Sequence, residues 1–531
     1  MQTVSQAWKN VHKQALLNES YVEVSLKIAD QDAIADASSK DNGSVYISDT
    51  PEVVSEIDTP VIPYGTLEQN IWLLDGNRKN IPESDYKDGG YIGDVVGNAE
   101  GVFDTKIPTI TIDFGETHTQ LIPGITITWG TAYGEFAEHF IVTVYNGDTV
   151  IAMKEVIDNK SVMSIAAMDI ENYNKIVIQV FKWCLPNHRA RVDEILIGVK
   201  KVYSKSNLFK YSHEQVVDPV SASLPKMEIK FSVDNSDNSY NPLNPDSLSK
   251  YLTERQEVTT RYGLKVSANT VEWINGGTFY LSEWYAQQNG ISAEFVARDL
   301  LEFMSTPYKD NVSTIANRSL YNLAESVLRA ANLPLTRDGA VKWVIDDSLK
   351  SIYTKAPLPD DTIANCLQMI ANAGGCVLYP DREGLVHIEP ISNNPSDYVI
   401  NAFNSYSKSE LTLSKPIKDV LVKVYQYTIE GTEIKSTTTE VSTVIGETGE
   451  TITIDNPLVT DTERARALGQ WIGDYLKNRM TLKSVGRADV RLDALDIVSN
   501  ENDYSTNMVR MTNVKFEFNG AFRGTGEGRV I

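Results

Sequence analysis

The side chains able to do chemistry are scattered along this chain rather than gathered. Its six histidines are His12, His118, His139, His188, His213 and His387. None falls in an HExxH or HxxxH spacing, which would put two imidazoles on one helix face to hold a metal. The cysteines Cys184, Cys366 and Cys376 lack zinc spacing and are too few for a disulfide framework. Cys366 sits on an apolar helix face and Cys376 opens a strand, so the two read as buried small apolar residues rather than a redox pair. No phosphate loop, nucleophile elbow or dinucleotide fingerprint follows a strand into a helix. Gly524-Thr525-Gly526-Glu527-Gly528 is glycine-rich but opens no helix. Asp234, Asp237 and Asn238 approach a calcium-loop spacing, yet the bidentate Glu is missing, so a polar connection of Asx turns is expected. Among 71 acidic residues no carboxylate pair for glycoside hydrolysis stands out by pattern. No residue is therefore assigned a catalytic, cofactor-binding or metal-binding role.

Aromatic rings are the remaining functional type. Trp72, Tyr86, Tyr91, Trp129, Tyr133 and Trp183 all fall in one stretch and are of the kind that stacks on sugar rings. Trp129 ends an alternating strand and reads as core. Trp72, Tyr86 and Tyr91 are the glycan-binding candidates, chosen from ring type and loop context.

Composition narrows the field further. The 531 residues carry 49 basic and 71 acidic side chains, a formal net charge of −22. A surface this negative repels phosphate backbones, so specific nucleic-acid binding is not expected. No apolar run reaches the 18 or so residues of a membrane span, so no membrane partner is expected. The N-terminal apolar residues are spaced rather than continuous, unlike a signal peptide. The sparse, odd cysteine count fits synthesis in a reducing cytoplasm. The length suggests about three to five domains.

The elements that must position these residues are mostly strands. Val4, Ala7, Trp8, Val11 and Ala15 predict a helix over 4–17. Val22, Val24, Leu26 and Ile28 alternate with Glu23, Ser25 and Lys27, as in a strand with one buried face. Residues 30–58 read as loop. Between 60 and 200 short strands recur at Thr109–Phe114, Gly124–Trp129, Phe140–Tyr145, Lys175–Phe181 and Glu194–Val199, predicting a β-sandwich. The alternation of 22–28 resumes at Met227, Ile229, Phe231 and Val233, so the sandwich is read as inserted into a β domain. Gly277–Trp284 and Ile291–Val296 are expected to pair through Gln287-Gln288-Asn289-Gly290. Leu320, Leu323, Ala324, Val327, Leu328 and Ala331 form a helical stripe stopped by Pro334. A second helix starts at Asp361 and stops at Gly374-Gly375, followed by a hairpin turning at Pro380-Asp381-Arg382-Glu383-Gly384. Thr460 with Glu463 matches a capping box before a long helix. Val514, Phe516 and Phe518 form the closing strand.

The predicted fold class is mainly β with α+β parts. The divisions are 1–58 (N-terminal helix and the start of a first β domain), 59–202 (inserted sandwich), 203–310 (rest of the first β domain), 311–395 (small α+β domain) and 396–531 (second β domain).

Four stretches resemble tail proteins of phages that infect Gram-positive bacteria. YGTLEQNIWLLDG (Tyr64–Gly76) with Gly90-Tyr91-Ile92-Gly93-Asp94, then ITIDFGETHTQLIPGITITWG and NHRARVDEILIG, looks like a carbohydrate-binding-like jelly roll of galactose-binding type. SLPKMEIKFSVDNSDNSYNPLNP with GGTFYLSEWYAQQNGISAEFVARDLLEFM resembles the first barrel domain of baseplate hub, or tail-tip, proteins. DDTIANCLQMIANAGGCVLYPDREGLVHIEPI is similar to their small α+β domain. RADVRLDALDIV with VKFEFNGAFRGTGEGRVI resembles the end of their second barrel. The resemblance implies two tube-like β-barrel domains per chain and a homotrimer forming a pseudo-sixfold ring. Such a ring would join a tail tube or distal tail protein above to a spike or tip protein below, with the tape measure protein as a further partner, in the tail of a virion or phage-like particle. An acidic channel wall would let DNA pass without sticking.

The expected function is thus a structural, non-enzymatic hub. Its sandwich would contact host cell-wall glycan or a neighbouring baseplate protein. No cofactor is expected, with a structural calcium ion in the sandwich left open. A cell-wall polysaccharide adhesin and a cell-wall glycan hydrolase are the alternative readings. With the chain ending at Ile531, just after the second barrel, peptidoglycan cleavage is expected to reside in another protein.

Overall fold

The structure is a computed structural model and describes residues 1–14, 19–43, 48–54, 88–245, 247–287, 290–310, 315–331, 333, 341–430 and 433–531. Strands dominate, and among the described residues the longest helix has 15 residues. No described helix is long and apolar enough to cross a membrane.

Thirteen strands form one open sheet. Its first part runs from Gly198–Ser204 through Ser20–Ala29, Glu257–Lys265, Val271–Ala286, Ser292–Arg298 and Lys226–Asp234 to Leu208–Val216. There it passes directly to Thr506–Phe518, then to Phe522–Val530, Met480–Arg487 and Glu410–Leu413. Pro395–Ile400 and Ile497–Glu501 branch from Thr506–Phe518. The resemblance implies two tube-like β-barrel domains. In the structure the two β regions share one sheet, in which Leu208–Val216 and Thr506–Phe518 satisfy each other's backbone groups, with Tyr211 opposite Phe518 and His213 opposite Phe516. No sheet closes on itself among the described residues. An isolated bridge from Ser405 to Gly486 brings the loop after Ile400 back toward the second part.

The alternation at 22–28 works as expected: Val22, Val24, Leu26 and Ile28 are buried with Met227, Ile229, Phe231 and Val233 in one core. The N-terminal helix is shorter than its apolar spacing suggests, Gln6–His12, capped by the Ser5 side chain. It buries Trp8 and Val11 in that same core.

The sandwich enters and leaves through paired positions, because Ala29 lies opposite Gly198. Gly198 has φ +145°, and a Cβ there would meet the Ile28 carbonyl oxygen at 2.3 Å, so this doorway needs glycine. Two antiparallel sheets face one core. One is ordered Ser38–Asp41, Thr109–His118, Tyr173–Trp183, Ala137–Asn146, Thr149–Val156; the other Met163–Ile170, Ile122–Trp129, Arg189–Leu196, Tyr91–Val96. The segment read as loop over 30–58 belongs partly to this body. Gln31–Asp36 is a helix capped by Asp30, Ser38–Asp41 pairs with Thr109–His118, and Ala33, Val53 and Val54 enter the sandwich core. Polar composition concealed it: Asp30 is a cap, and the buried positions are few and widely spaced. The strand read as Glu194–Val199 breaks at Ile197, and Val199 belongs to the main sheet.

A third core gathers Leu320–Ala330, Ile363–Ala373 and the hairpin Val377–Pro380/Val386–Glu389. Thr362, rather than Asp361, caps the second helix. This core also takes the hairpin Ile417–Glu430/Glu433–Val444 and the helix Thr462–Leu476. Residues 396–531 are therefore divided between two cores. Gly469 and Gly473 permit this packing, since Cβ atoms there would meet Thr443 Oγ1 at 2.4 Å and Ile445 Cδ1 at 2.0 Å. The capping box is displaced by one residue. Asp461 caps the helix through the Arg464 amide, while Thr460 Oγ1 accepts from the Lys355 amide at 3.3 Å.

Candidate functional site

The most highly organised polar site is a joint where all parts outside the sandwich meet. It begins with a hairpin turn. Gly384, at φ +77°, lets the chain reverse between Val377–Pro380 and Val386–Glu389, and the Asp381 carboxylate accepts from the Leu385 amide at 2.8 Å. This turn pushes Arg382 into the shared sheet, where it is buried.

Every face of the guanidinium is used. Nε donates to Asp493 Oδ1 at 2.6 Å; Nη1 donates to the carbonyls of Asn275 (3.1 Å) and Val490 (2.8 Å); Nη2 donates to that of Leu492 at 2.7 Å. The fork also lies over the rings of Tyr262 and Phe516, 5.7 and 6.0 Å from their centroids. Lysine has neither the fork nor the planar face, so arginine is required. Arg382 thereby ties the α+β hairpin to the first part of the sheet through Asn275 and to the second through 490–493.

Asp493 also accepts from Gln2 Nε2 at 3.0 Å and Gln215 Nε2 at 3.1 Å. Burial alone would raise its pKa, but the Arg382 charge, the N-terminal ammonium and the hydrogen bonds from Gln2 and Gln215 together hold the carboxyl below its ordinary range. Beyond Gln215 the network continues into the core. His213 Nδ1 and the Tyr211 hydroxyl each lie 2.7 Å from the Tyr262 hydroxyl. Burial, followed by the nearby Arg382 charge, pushes the His213 pKa down to about 3. On the solvent side of the hairpin, His387 Nε2 bonds Asp381 at 2.8 Å and its ring stacks on Tyr379 at 4.8 Å.

A cavity of about 250 Å³ opens beside the joint, lined by Gln2, Gln215, Met227, Tyr379, Arg382 and Asp493 among others. It falls below the roughly 300–1,000 Å³ usual for ligand sites. The arrangement holds no nucleophile beside a base; its chemistry is the locking of one charge among fixed acceptors. Neither Arg382 nor Asp493 was singled out by sequence, although both lie in the stretches that resemble hub proteins.

The sequence-predicted residues fare differently. Trp72 and Tyr86 lie outside the described residues. Tyr91 is buried in the sandwich core and presents no open ring face. Trp129 and Trp183 are buried there too; Trp129 packs edge-on against Phe140 at 4.9 Å and Trp183 at 6.0 Å. Their indole N–H groups donate to Ser164 Oγ at 2.8 Å and Glu135 Oε2 at 2.7 Å. Tyr133 lies under the Arg191 guanidinium, 4.8 Å away. Asn235, Asn238, Asn241 and Asn244 pass backbone hydrogen bonds along a chain of tight turns, and the Asp234 and Asp237 carboxylates accept from the Ser236 and Ser239 amides, each at 2.9 Å. That is the Asx-turn connection expected. No cluster of three or more His, Cys, Asp or Glu able to hold a metal occurs among the described residues. Cys366 and Cys376 are free and buried, with burial raising their thiols to about 11 and 12.

No protein-family model matches this chain, and no curated protein does. Among solved structures it is similar to a 43 kDa tail protein of prophage MuSo2 from Shewanella oneidensis, at 14% identity and TM-score 0.42, over 62% of this chain and 95% of that one. It is similar to a tail protein from Neisseria meningitidis MC58, at 10% identity and TM-score 0.41, over 62% and 93%. It is also similar to prophage tail protein gp18 from Listeria monocytogenes EGD-e, at 10% identity and TM-score 0.37, over 62% and 91%. Likeness at this level carries no functional argument by itself.

Proposed function

We propose that this chain is a structural hub of a phage or phage-like tail. Three copies form a ring that adapts a sixfold tail tube to a threefold tip, and none of its residues acts in catalysis. The observation that carries this reading is the joined sheet: two β regions, far apart in sequence, are fused edge to edge and locked by Arg382. A body with two coupled β units per chain offers six β units in three copies, which is what a sixfold-to-threefold adaptor needs. The sequence resemblance to baseplate hubs, carried by stretches of the shared sheet and of the α+β core, supports the same conclusion. Partners on this reading are the tail tube or distal tail protein, the spike or tip protein and the tape measure protein.

The inserted sandwich, of jelly-roll type on this reading, sits outside the ring, because both its ends return to one strand pair at Ala29 and Gly198. Its exposed Ile151, Met153 and Ile157 favour contact with a neighbouring baseplate protein. Binding of cell-wall glycan is the second reading and rests on Trp72 and Tyr86. Light scattering of the purified chain across concentrations tests the hub reading. A species of three subunits is expected. A chain that stays single at every concentration contradicts the ring and favours a free adhesin, for which pull-down on host cell walls is the matching assay.

A further inference from the structure

The thirteen-stranded sheet ends in two edges of different character. At one end, Gly198–Ser204 is partly covered by the chain's own sandwich: Thr126 Oγ1 donates to the Gly198 carbonyl at 3.0 Å and accepts from the Lys200 amide at 3.3 Å. At the other, Glu410–Leu413 pairs only with Met480–Arg487, and all four of its residues are exposed. The outward backbone groups of this strand face no other strand among the described residues.

Exposed apolar side chains crowd round that open edge. Leu411 and Leu413 are both more than half exposed, and Tyr406 is too. Phe403 is 91% and Tyr504 97% exposed. The segments that carry these residues are tied to one another. The Tyr406 amide donates to the Val485 carbonyl at 2.9 Å, and Leu411 lies opposite Leu482, so the loop and the strand flank the same neighbour. Lys408 Nζ meets Asp503 Oδ2 at 2.5 Å, tying the loop to the turn that carries Tyr504. At aromatic and leucine sizes the five side chains leave roughly 700 Å² open. A standard interface buries about 800 Å² a side, and contiguous apolar patches on monomers rarely exceed a few hundred.

We infer that the edge strand Glu410–Leu413, rimmed by Phe403, Tyr406 and Tyr504, is where a second copy of this chain docks, laying an extended segment along the open edge. The inference rests on the trimeric ring proposed above, which needs one contact repeated between copies. Two features select a second copy. An unpaired strand edge is satisfied by extended polypeptide and not by a sugar. The patch has the aromatic and leucine make-up, and nearly the area, of one side of a stable interface. The contact is heterologous, because an edge paired with its own equivalent closes a twofold pair and not a ring of three.

The test uses the full chain. Light scattering compares wild type with the double variant Leu411→Glu/Leu413→Glu, while circular dichroism checks that the exposed substitutions leave the fold intact. Hydrogen exchange follows the amides of 410–413 from dilute to concentrated wild-type protein, with the other apolar edge strand, Thr149–Val156, as the internal control. We expect a wild-type trimer, a monomeric variant and slowing of the 410–413 amides by about tenfold or more on assembly, with no change at 149–156. A variant that remains trimeric, or 410–413 amides that exchange equally fast in the trimer, overturns the docking edge and leaves the hub reading standing. A wild type that is monomeric at every concentration overturns both.

Discussion

Both bodies have apolar cores and both bury charge, but the buried Glu135, His188 and Arg191 of the sandwich pair with one another inside it, whereas the buried Arg382 of the joint bonds residues of three separate parts. The first is a body with its own core, joined to the rest through the Ala29/Gly198 doorway and a few polar contacts beside it, such as Asp169 with Lys250 and Tyr251. The second is an interlock in which one buried charge holds three parts together. On the proposed hub reading the difference separates what is free to vary from what must stay in register: an outer attachment would tolerate independence, while the units of a ring would not. Heating is therefore expected to give at least two transitions, one for the sandwich and one for the interlocked remainder.

The largest effect is expected from Arg382→Ala, which removes the guanidinium from Asp493, leaving it only Gln2, Gln215 and the N-terminal ammonium, and takes a donor from three carbonyls. It should cost about 3–5 kcal/mol, the usual penalty for breaking a buried ion pair. Calorimetry should place the whole loss in the non-sandwich transition. Arg382→Lys should recover little of it, because the fork is lost. Trp129→Ala should cost a comparable 3–5 kcal/mol or so, but in the sandwich transition alone. If either variant moved both transitions together, the two bodies would not be independent.

A smaller effect depends on pH. His213 is held neutral, with its pKa depressed from 6.5 to about 3. Its contribution is complete above pH 6.5 and is lost as the pH falls toward 3, amounting to about 2 kcal/mol by pH 5. Asp299 works in the opposite sense. Burial raises its pKa to about 7, so its contribution is present at low pH and lost as the pH rises through 7. The informative readout is thus the difference between wild type and His213→Phe, measured by denaturant titration from pH 7 to 4. The variant should have the flatter acid limb, confined to the non-sandwich transition. Loss from Asp493 should begin within the ordinary carboxylate range, where the unfolded chain takes up its proton, and be complete only below that range, because its folded pKa is lowered.

The smallest effect sharpens a boundary. Asp461→Ala should cost about 1 kcal/mol as the true helix cap, and Thr460→Ala well under that. Chemical denaturation of the two variants side by side checks it. The reverse order would restore the capping box read from sequence.

Local patterns were legible and long-range ones were not. The alternations at 22–28 and 227–233, the strands around Ile110, Ile125 and Ile178, both short helices and the 377–388 hairpin all announce themselves through spacing and turn residues. The pairing of Leu208–Val216 with Thr506–Phe518 leaves no local trace, since strand pairing across hundreds of residues depends on what the rest of the chain excludes. Arg382 was concealed by its setting: a charged residue in a Pro-Asp-Arg-Glu-Gly turn reads as solvated, and only the neighbouring body makes it buried. Tyr91 was misplaced for the converse reason, because glycine and aspartate neighbours suggest an open loop while its strand carries the ring into the sandwich core.

The central claim is a ring of three coupled chains, and cryo-electron microscopy of the purified protein tests it most directly. Class averages viewed down the symmetry axis should show three copies round a central opening, six similar β lobes forming the wall and three sandwiches outside it. Isolated single chains, or closed pairs related by a twofold axis, would contradict it.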